Sequence, residues 1–130
     1  MKKMLLSVLG AVMIVGSAST AFADYNFGRA VQIHLGSEVA RSIYDTQEQY
    51  FYFIPSESGR YRITLSGISA SEDADLFLYN ESEVLLDSSR NGKGQDDQIS
   101  ADLIANQKYY VKAKGYVNDT SYRLLIVKRS

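Results

Sequence analysis

Cysteine is absent from this 130-residue chain, and proline and histidine each occur once. Without cysteine, the chain forms no disulfide, binds no metal through thiolates and has no cysteine nucleophile. Tryptophan is also absent, whereas tyrosine occurs 10 times and phenylalanine 5 times. A domain of this composition depends for its stability on side-chain packing, with or without help from a bound ion.

The single histidine, His34, lies in a segment in which polar and apolar residues alternate. One imidazole cannot supply the two or three histidine ligands typical of catalytic zinc. Neither an H-E-x-x-H motif nor a G-x-S-x-G nucleophile motif occurs in the sequence. We interpret His34 as an ordinary sheet residue. A hydrolase that uses two carboxylates stays an open alternative, because a suitably spaced pair of acids suffices for that chemistry. No pair of acidic residues in the sequence stands out for this role.

The N-terminal residues have the pattern of a secretory signal peptide. Lys2 and Lys3 precede an apolar stretch at residues 4–15, and Ala21-Phe22-Ala23 fits a small-residue cleavage site. The apolar stretch is shorter than the about 20 residues of a membrane-spanning helix, and an uncleaved anchor is the alternative. No cysteine follows it, which excludes a lipoprotein anchor.

This pattern predicts a signal peptide at residues 1–23, a loose N-terminal lead at 24–30 and one domain at 31–130. The protein is then periplasmic or extracellular, and no membrane span is left after cleavage. The formal net charge of −1 becomes about −3 on cleavage, because the removed segment carries two lysines and no acid. We therefore expect no nucleic acid partner and no anionic membrane partner, since both call for basic patches.

Periodicity after residue 30 favours strands, because apolar residues alternate or form short runs between turn residues. We predict an all-β fold, an antiparallel β-sandwich of about eight strands. Leu76 and Leu78 should face its interior, and a hairpin turn is predicted at residues 80–83. The expected core neighbours of these leucines are Tyr61, Ile63, Val111 and Leu124. The strand-like runs are residues 31–35, 38–43, 49–54, 60–65, 76–79, 84–86, 99–103, 109–114 and 122–127.

Acidic residues precede the apolar run Leu76 to Tyr79. Asp73 and Asp75 stand before the predicted strand, and Asp96 and Asp97 end a polar loop. Calcium takes carboxylate and carbonyl oxygens from flexible loops, so these four residues are candidate calcium ligands, although they lack the EF-hand spacing. The alternative is that Asp75 accepts backbone N–H bonds and fixes the loop before its strand.

The order of these segments resembles the bacterial pre-peptidase C-terminal domain family. The resemblance rests on the aromatic run at residues 50–53, the motif Asp-Ala-Asp-Leu-Phe-Leu-Tyr at 73–79, and Tyr-Tyr-Val-Lys-Ala at 109–113. It implies a jelly-roll-like β-sandwich. Such domains follow secreted proteases, and some relatives bind collagen or insoluble polysaccharide. No protease domain precedes this copy, so the family does not imply what the copy does.

Three functions from different classes are compatible with the sequence. The first, which we favour, is a non-catalytic binding or accessory module for an extracellular or envelope protein or polysaccharide. The second is a detached chaperone or targeting partner of a separately encoded secreted protease, and the third is the carboxylate hydrolase. Tyrosine is enriched where proteins bind partners. We expect Tyr110, Tyr116 and Tyr44 to point outward and to contact the ligand, although they could instead cover a sheet edge.

Overall fold

The computed structural model describes residues 26–117 and 119–130 of the chain. The predicted signal peptide lies outside these residues. Within them, a 3-10 helix at Phe27–Arg29 precedes nine strands, which confirms the all-β prediction with one strand more than expected. The strands are β1 Val31–Gln32, β2 Val39–Ile43, β3 Glu48–Phe53, β4 Gly59–Ser66, β5 Asp73–Tyr79, β6 Leu85–Ser89, β7 Asp97–Leu103, β8 Tyr109–Val117 and β9 Thr120–Lys128. No helix in the described part of the chain has the length and apolar character needed to cross a membrane.

The strands form two sheets that pack face to face as a β-sandwich. The larger sheet has the order β1-β3-β8-β5-β6, and the smaller sheet has the order β2-β9-β4-β7. The strand pairs are antiparallel, except that β1 runs parallel to β3. Parallel neighbours need a crossover connection, and here the chain crosses to the smaller sheet to form β2 before it returns as β3.

Alternation along the strands builds one core between the sheets. Leu76 and Leu78 are fully buried, and the four residues predicted to surround them belong to the same buried cluster, which confirms the predicted register. Because side chains alternate along a strand, Phe77, which lies between these two leucines, points to the opposite face of the sheet. Residues in this core include Ile43, Phe51, Phe53, Tyr61, Ile63, Leu65, Ala74, Ile99, Tyr109, Val111, Ala113, Tyr122, Leu124 and Ile126.

Most strand boundaries differ from the prediction by one or more residues, and three of these differences affect how the chain is placed. The predicted strand at 31–35 ends at Gln32, because the chain turns at Gly36 (φ 79°) and leaves for the other sheet. The strand predicted from Leu76 begins at Asp73, so both acids of the motif lie in β5 and not in the loop before it. β6 begins at Leu85 and extends to Ser89, beyond the predicted run at 84–86.

Candidate functional site

The outer face of the larger sheet carries aromatic side chains in rows that run across the strands. Cross-strand register joins β3, β8, β5 and β6, so that residues paired with one another share a face. The first row is Tyr52, Tyr110, Tyr79 and Leu85, the second is Tyr50, Lys112, Phe77 and Ser88, and the third is Glu48, Lys114 and Asp75. This outer face is therefore apolar at one end of the sheet and charged at the other.

Phe27 of the 3-10 helix covers the apolar end of this face. Its ring centroid lies 4.8 Å from that of Tyr50 and 5.0 Å from those of Tyr79 and Tyr110, with interplanar angles of 62–85°. These edge-to-face contacts are a favoured geometry for aromatic pairs. We call the rings of Tyr50, Tyr79 and Tyr110 the aromatic cradle. The segment predicted to be a loose lead thus places a side chain on the sheet.

Lys112, in the second row, lies beside these rings on the same face of the sheet. The Nζ of Lys112 is 3.3 Å from Glu48 Oε2 and 4.5 Å from the ring centroid of Phe77. Burial lowers the pKa of Lys112, but the Tyr79 hydroxyl and the Glu48 charge outweigh it and raise the pKa overall. For Tyr50, in contrast, burial raises the pKa. Its hydroxyl donates to Glu48 Oε1 at 3.0 Å. Lys112 therefore stays charged and makes cation–π contacts with the face.

The three tyrosines predicted to bind a ligand occupy two separate places. Tyr110 points outward as expected but is only 8% exposed, because Phe27 covers it. Tyr116 is 36% exposed near the end of β8, and Tyr44 is 58% exposed in the turn between β2 and β3. At about 3.3 Å per residue, Tyr110 and Tyr116 are about 20 Å apart along the strand. They do not form one surface.

A close backbone approach brings Tyr44 and Tyr116 to the same end of the larger sheet. The Gly115 N–H donates to the Gln47 carbonyl at 3.0 Å, and the Thr46 N–H donates to the Gly115 carbonyl at 3.0 Å. A Cβ at Gly115 would lie 2.6 Å from the Tyr44 carbonyl oxygen, so only glycine fits here. Lys114 is nearby, with its Nζ 5.2 Å from the Tyr116 ring centroid. We call Tyr44, Lys114 and Tyr116 the tyrosine patch.

Three carboxyl groups lie together where β5 meets the loop that enters β7. Asp73 Oδ1, Asp75 Oδ1 and Asp97 Oδ2 are buried and have no hydrogen-bond partner. Burial, followed by the charges of Asp73 and Asp97, raises the pKa of Asp75 to about 7. Burial likewise raises the pKa of Asp97 and of Asp73. Ionised oxygens that lose water without gaining a partner are costly, so protons are favoured at this cluster.

The loop-fixing role predicted for Asp75 belongs to Asp97. Asp97 Oδ1 accepts from the Asn91 N–H and from the Ser89 hydroxyl, both at 2.8 Å. Asp97 can do so because it lies at the end of the loop formed by residues 90–96, whereas Asp75 lies inside a strand. Asp96 is exposed, and its carbonyl oxygen accepts from the Asn91 side chain at 2.7 Å.

Metal binding and catalysis gain no geometric support from these groups. Among residues 26–117 and 119–130, no group of three or more His, Cys, Asp or Glu side chains is arranged to hold a metal ion. Calcium at Asp73, Asp75, Asp96 and Asp97 therefore stays a prediction, tested below. Asp75 and Asp97 are also too deeply buried to reach a substrate, and His34 is exposed and outside the strands.

Sequence reasoning missed the residues that make the outer aromatic layer. Phe27 lay in the segment interpreted as a loose lead, and Tyr50, Tyr79 and Lys112 were not singled out. The available signal was the presence of aromatic residues on both registers of one strand, as in residues 50–53. A strand that is apolar on both faces must be covered on both faces, and β3 is covered by the core and by the Phe27 segment.

Comparison with known proteins identifies the class of the fold. The sequence profile of the bacterial pre-peptidase C-terminal domain matches residues 47–115, and the chain belongs to this family. No curated protein gives a match.

Solved structures with the same fold include three bacterial proteins. The pre-peptidase C-terminal domain of a Bacillus anthracis collagenase has a TM-score of 0.63 at 17% identity, over 75% of this chain and 93% of that one. The Yersinia pseudotuberculosis-derived mitogen has a TM-score of 0.55 at 12% identity, over 72% of this chain and 86% of that one. The Aeromonas hydrophila periplasmic inhibitor of g-type lysozyme has a TM-score of 0.50 at 14% identity, over 75% of this chain and 95% of that one.

Proposed function

We propose that the protein is an exported, non-catalytic binding module that contacts a protein or polysaccharide target through the tyrosine patch. The observation that carries the proposal is the pair of exposed rings, Tyr44 and Tyr116, held at one end of the larger sheet by the Gly115 contact. Tyrosine offers a large amphipathic surface with few rotatable bonds. Lys114 adds a cation that can donate to hydroxyl or carboxylate groups of a target.

Rigidity of the support also favours binding. The turn that carries Tyr44 is joined to β8 by the two backbone hydrogen bonds at Gly115. A side chain whose backbone is already ordered loses less freedom on binding than one on a loose loop. The backbone that carries the two rings is therefore ordered before a target binds, which favours recognition.

The direct test is retention on insoluble polymers. Collagen, chitin and peptidoglycan are the first targets, because a collagenase carries a domain of this fold and the protein is predicted to reach the cell envelope. We expect the double variant Tyr44→Ala with Tyr116→Ala to lose at least tenfold in affinity for the polymer that retains the unmutated protein. Its unfolding midpoint should stay unchanged, because both rings are exposed.

A matched control exists at the opposite end of the sandwich. Ile54 and Ile104 are 45% and 55% exposed, comparable to the tyrosines, and their double alanine variant should keep full retention. Equal losses in the two double variants would mean that general surface apolarity drives retention. Unchanged retention of the tyrosine variant would overturn the assignment to this patch.

The second candidate function is a detached partner of a separately encoded secreted protease. Family membership favours it, because the family takes its name from domains attached to peptidases. If the unmutated protein is retained on none of the three polymers, the same tyrosine variants should be compared for co-purification with secreted proteases of the native organism. Loss of co-purification in the tyrosine variant alone would support this function.

A further inference from the structure

The aromatic cradle already holds an aromatic ring, and that ring comes from a short, separate segment of the chain. Phe27 is half-buried and lies within 5.0 Å, centroid to centroid, of each of the three tyrosine rings. All three contacts are edge-to-face, which requires a π-ring and not merely an apolar side chain. The outer face of the sheet thus has a site that accommodates an aromatic side chain.

The segment that carries Phe27 is a short turn with local backbone hydrogen bonds. Its 3-10 helix has three residues, none of them buried. The Arg29 N–H donates to the backbone and side-chain oxygens of Asn26, and the Ala30 N–H donates to the Phe27 carbonyl, so these bonds are local to the segment. Short 3-10 turns have poor hydrogen-bond geometry and open easily. Opening of these local bonds therefore leaves the strand ladders intact.

The apolar surface continues past Phe27 to the edge of the sheet. Leu85 pairs with Tyr79 in the first row and is 50% exposed, and its neighbour Leu86 is 47% exposed. A phenyl ring seated in the cradle would have room beside it for further apolar side chains of a longer ligand. Phe27 with its short flanking segment fills only part of this surface.

We propose that the aromatic cradle is a recognition site for a phenylalanine or tyrosine side chain of a partner polypeptide, and that Phe27 occupies it in cis until such a side chain displaces it. The occupant seen in the structure has this chemistry, a phenylalanine within a polypeptide. A saccharide has no aromatic ring to place edge-on against the three tyrosines. The proposal concerns different residues from the tyrosine patch, so either proposal can fail without the other.

The probe is the acetylated heptapeptide Asp-Tyr-Asn-Phe-Gly-Arg-Ala, the sequence of residues 24–30. We expect it to bind the unmutated protein weakly and the Phe27→Ala variant at least tenfold more tightly, since an internal occupant weakens apparent affinity by the fraction of open cradle. Titration calorimetry with Phe27→Ala, and chemical-shift changes at the Tyr110 and Lys112 amides in the unmutated protein, give the two affinities.

Control peptides distinguish recognition of the aromatic ring from nonspecific apolar binding. A heptapeptide with alanine in place of both its tyrosine and its phenylalanine should not bind, and one with alanine in place of the tyrosine and leucine in place of the phenylalanine should bind several-fold more weakly than the original. Tyr110→Ala combined with Phe27→Ala should abolish binding. Equal affinity of the three peptides, or equal affinity of both proteins for the original peptide, would overturn the proposal.

Two further outcomes are decisive. If Phe27→Ala does not fold, as judged by circular dichroism, the amide shifts of the unmutated protein carry the test, and their absence at millimolar peptide overturns the proposal. Binding of chitin oligosaccharide at the same amides, with no binding of the heptapeptide, would assign the cradle to a saccharide and overturn it as well.

Discussion

Replacing Asp75 by asparagine should stabilise the protein at neutral and alkaline pH. Asp75 is 5% exposed, and its Oδ1 is buried without a hydrogen-bond partner. Asparagine has nearly the same shape but carries no charge, so the substitution removes the cost of an ionised group at this position. Burial and the neighbouring carboxylates raise the pKa of Asp75 from 3.8 to about 7 in the folded protein.

The sign of the pH dependence follows from proton linkage. Between about pH 4 and pH 7, the folded protein binds a proton at Asp75 that the unfolded chain has lost. The free energy of unfolding therefore falls as the pH rises through this window, and the contribution levels off above it. At about 1.4 kcal/mol per pH unit, the gap between 3.8 and about 7 corresponds to up to about 4 kcal/mol. Relaxation of the protein around the charge lowers this contribution to the free energy of unfolding, and we expect a contribution of about 1–4 kcal/mol.

The assay is urea unfolding of both proteins at pH 5 and pH 8. Asp75→Asn should be more stable than the unmutated protein by about 1–4 kcal/mol at pH 8, with a smaller difference at pH 5. Asp102→Asn is the control, because that side chain is 81% exposed and should shift stability by under about 0.5 kcal/mol at either pH. A destabilised Asp75→Asn at pH 8, or a difference independent of pH, would refute the account of the carboxyl cluster.

Three other predictions test the core, the tyrosine patch and calcium. Leu78→Ala should lower the free energy of unfolding by about 2–5 kcal/mol, since the side chain is fully buried, and a loss under about 0.5 kcal/mol would refute the register. Gly115→Ala should displace the Tyr44 turn and reduce both stability and polymer retention, whereas Gly92→Ala, with open space around it, should change neither. If the predicted calcium site forms, the melting temperature should rise in millimolar calcium and Asp75→Asn should abolish the rise; equal melting temperatures in calcium and in chelator would refute the calcium prediction.

Most of the sandwich could be predicted from alternation within single strands. The inward positions of β4 and of β9 repeat every two residues, so Tyr61, Ile63 and Leu124 could be assigned to the core from local sequence. Strand boundaries were harder to predict where the chain passes from one sheet to the other. After Gln32 the alternating pattern continues to Leu35 in the sequence, but the strand ends, because the chain turns at Gly36 towards a strand of the other layer.

The candidate site depended on contacts that no local pattern contains. Tyr110 was correctly expected to point outward, but its cover comes from Phe27, 83 positions earlier in the chain. Likewise, the sequence indicated that Asp75 or its neighbours must find partners, but the choice of Asp97 depends on how the loop at 90–96 folds back on itself. Patterns fix the face of a residue, whereas tertiary packing decides what covers it.

The central position of β8 has a consequence for the order in which the backbone amides exchange with solvent. β8 is hydrogen-bonded to β3 on one side and β5 on the other, with the core beneath it and the Phe27 segment above it. Its amides between residues 110 and 114 can exchange hydrogen for deuterium only when the whole domain unfolds. The amides of Arg29 and Ala30, which are hydrogen-bonded within the turn that carries Phe27, exchange when that turn opens. The gap between the two rates therefore separates the free energy of opening that turn from the free energy of global unfolding, on one sample and without any substitution.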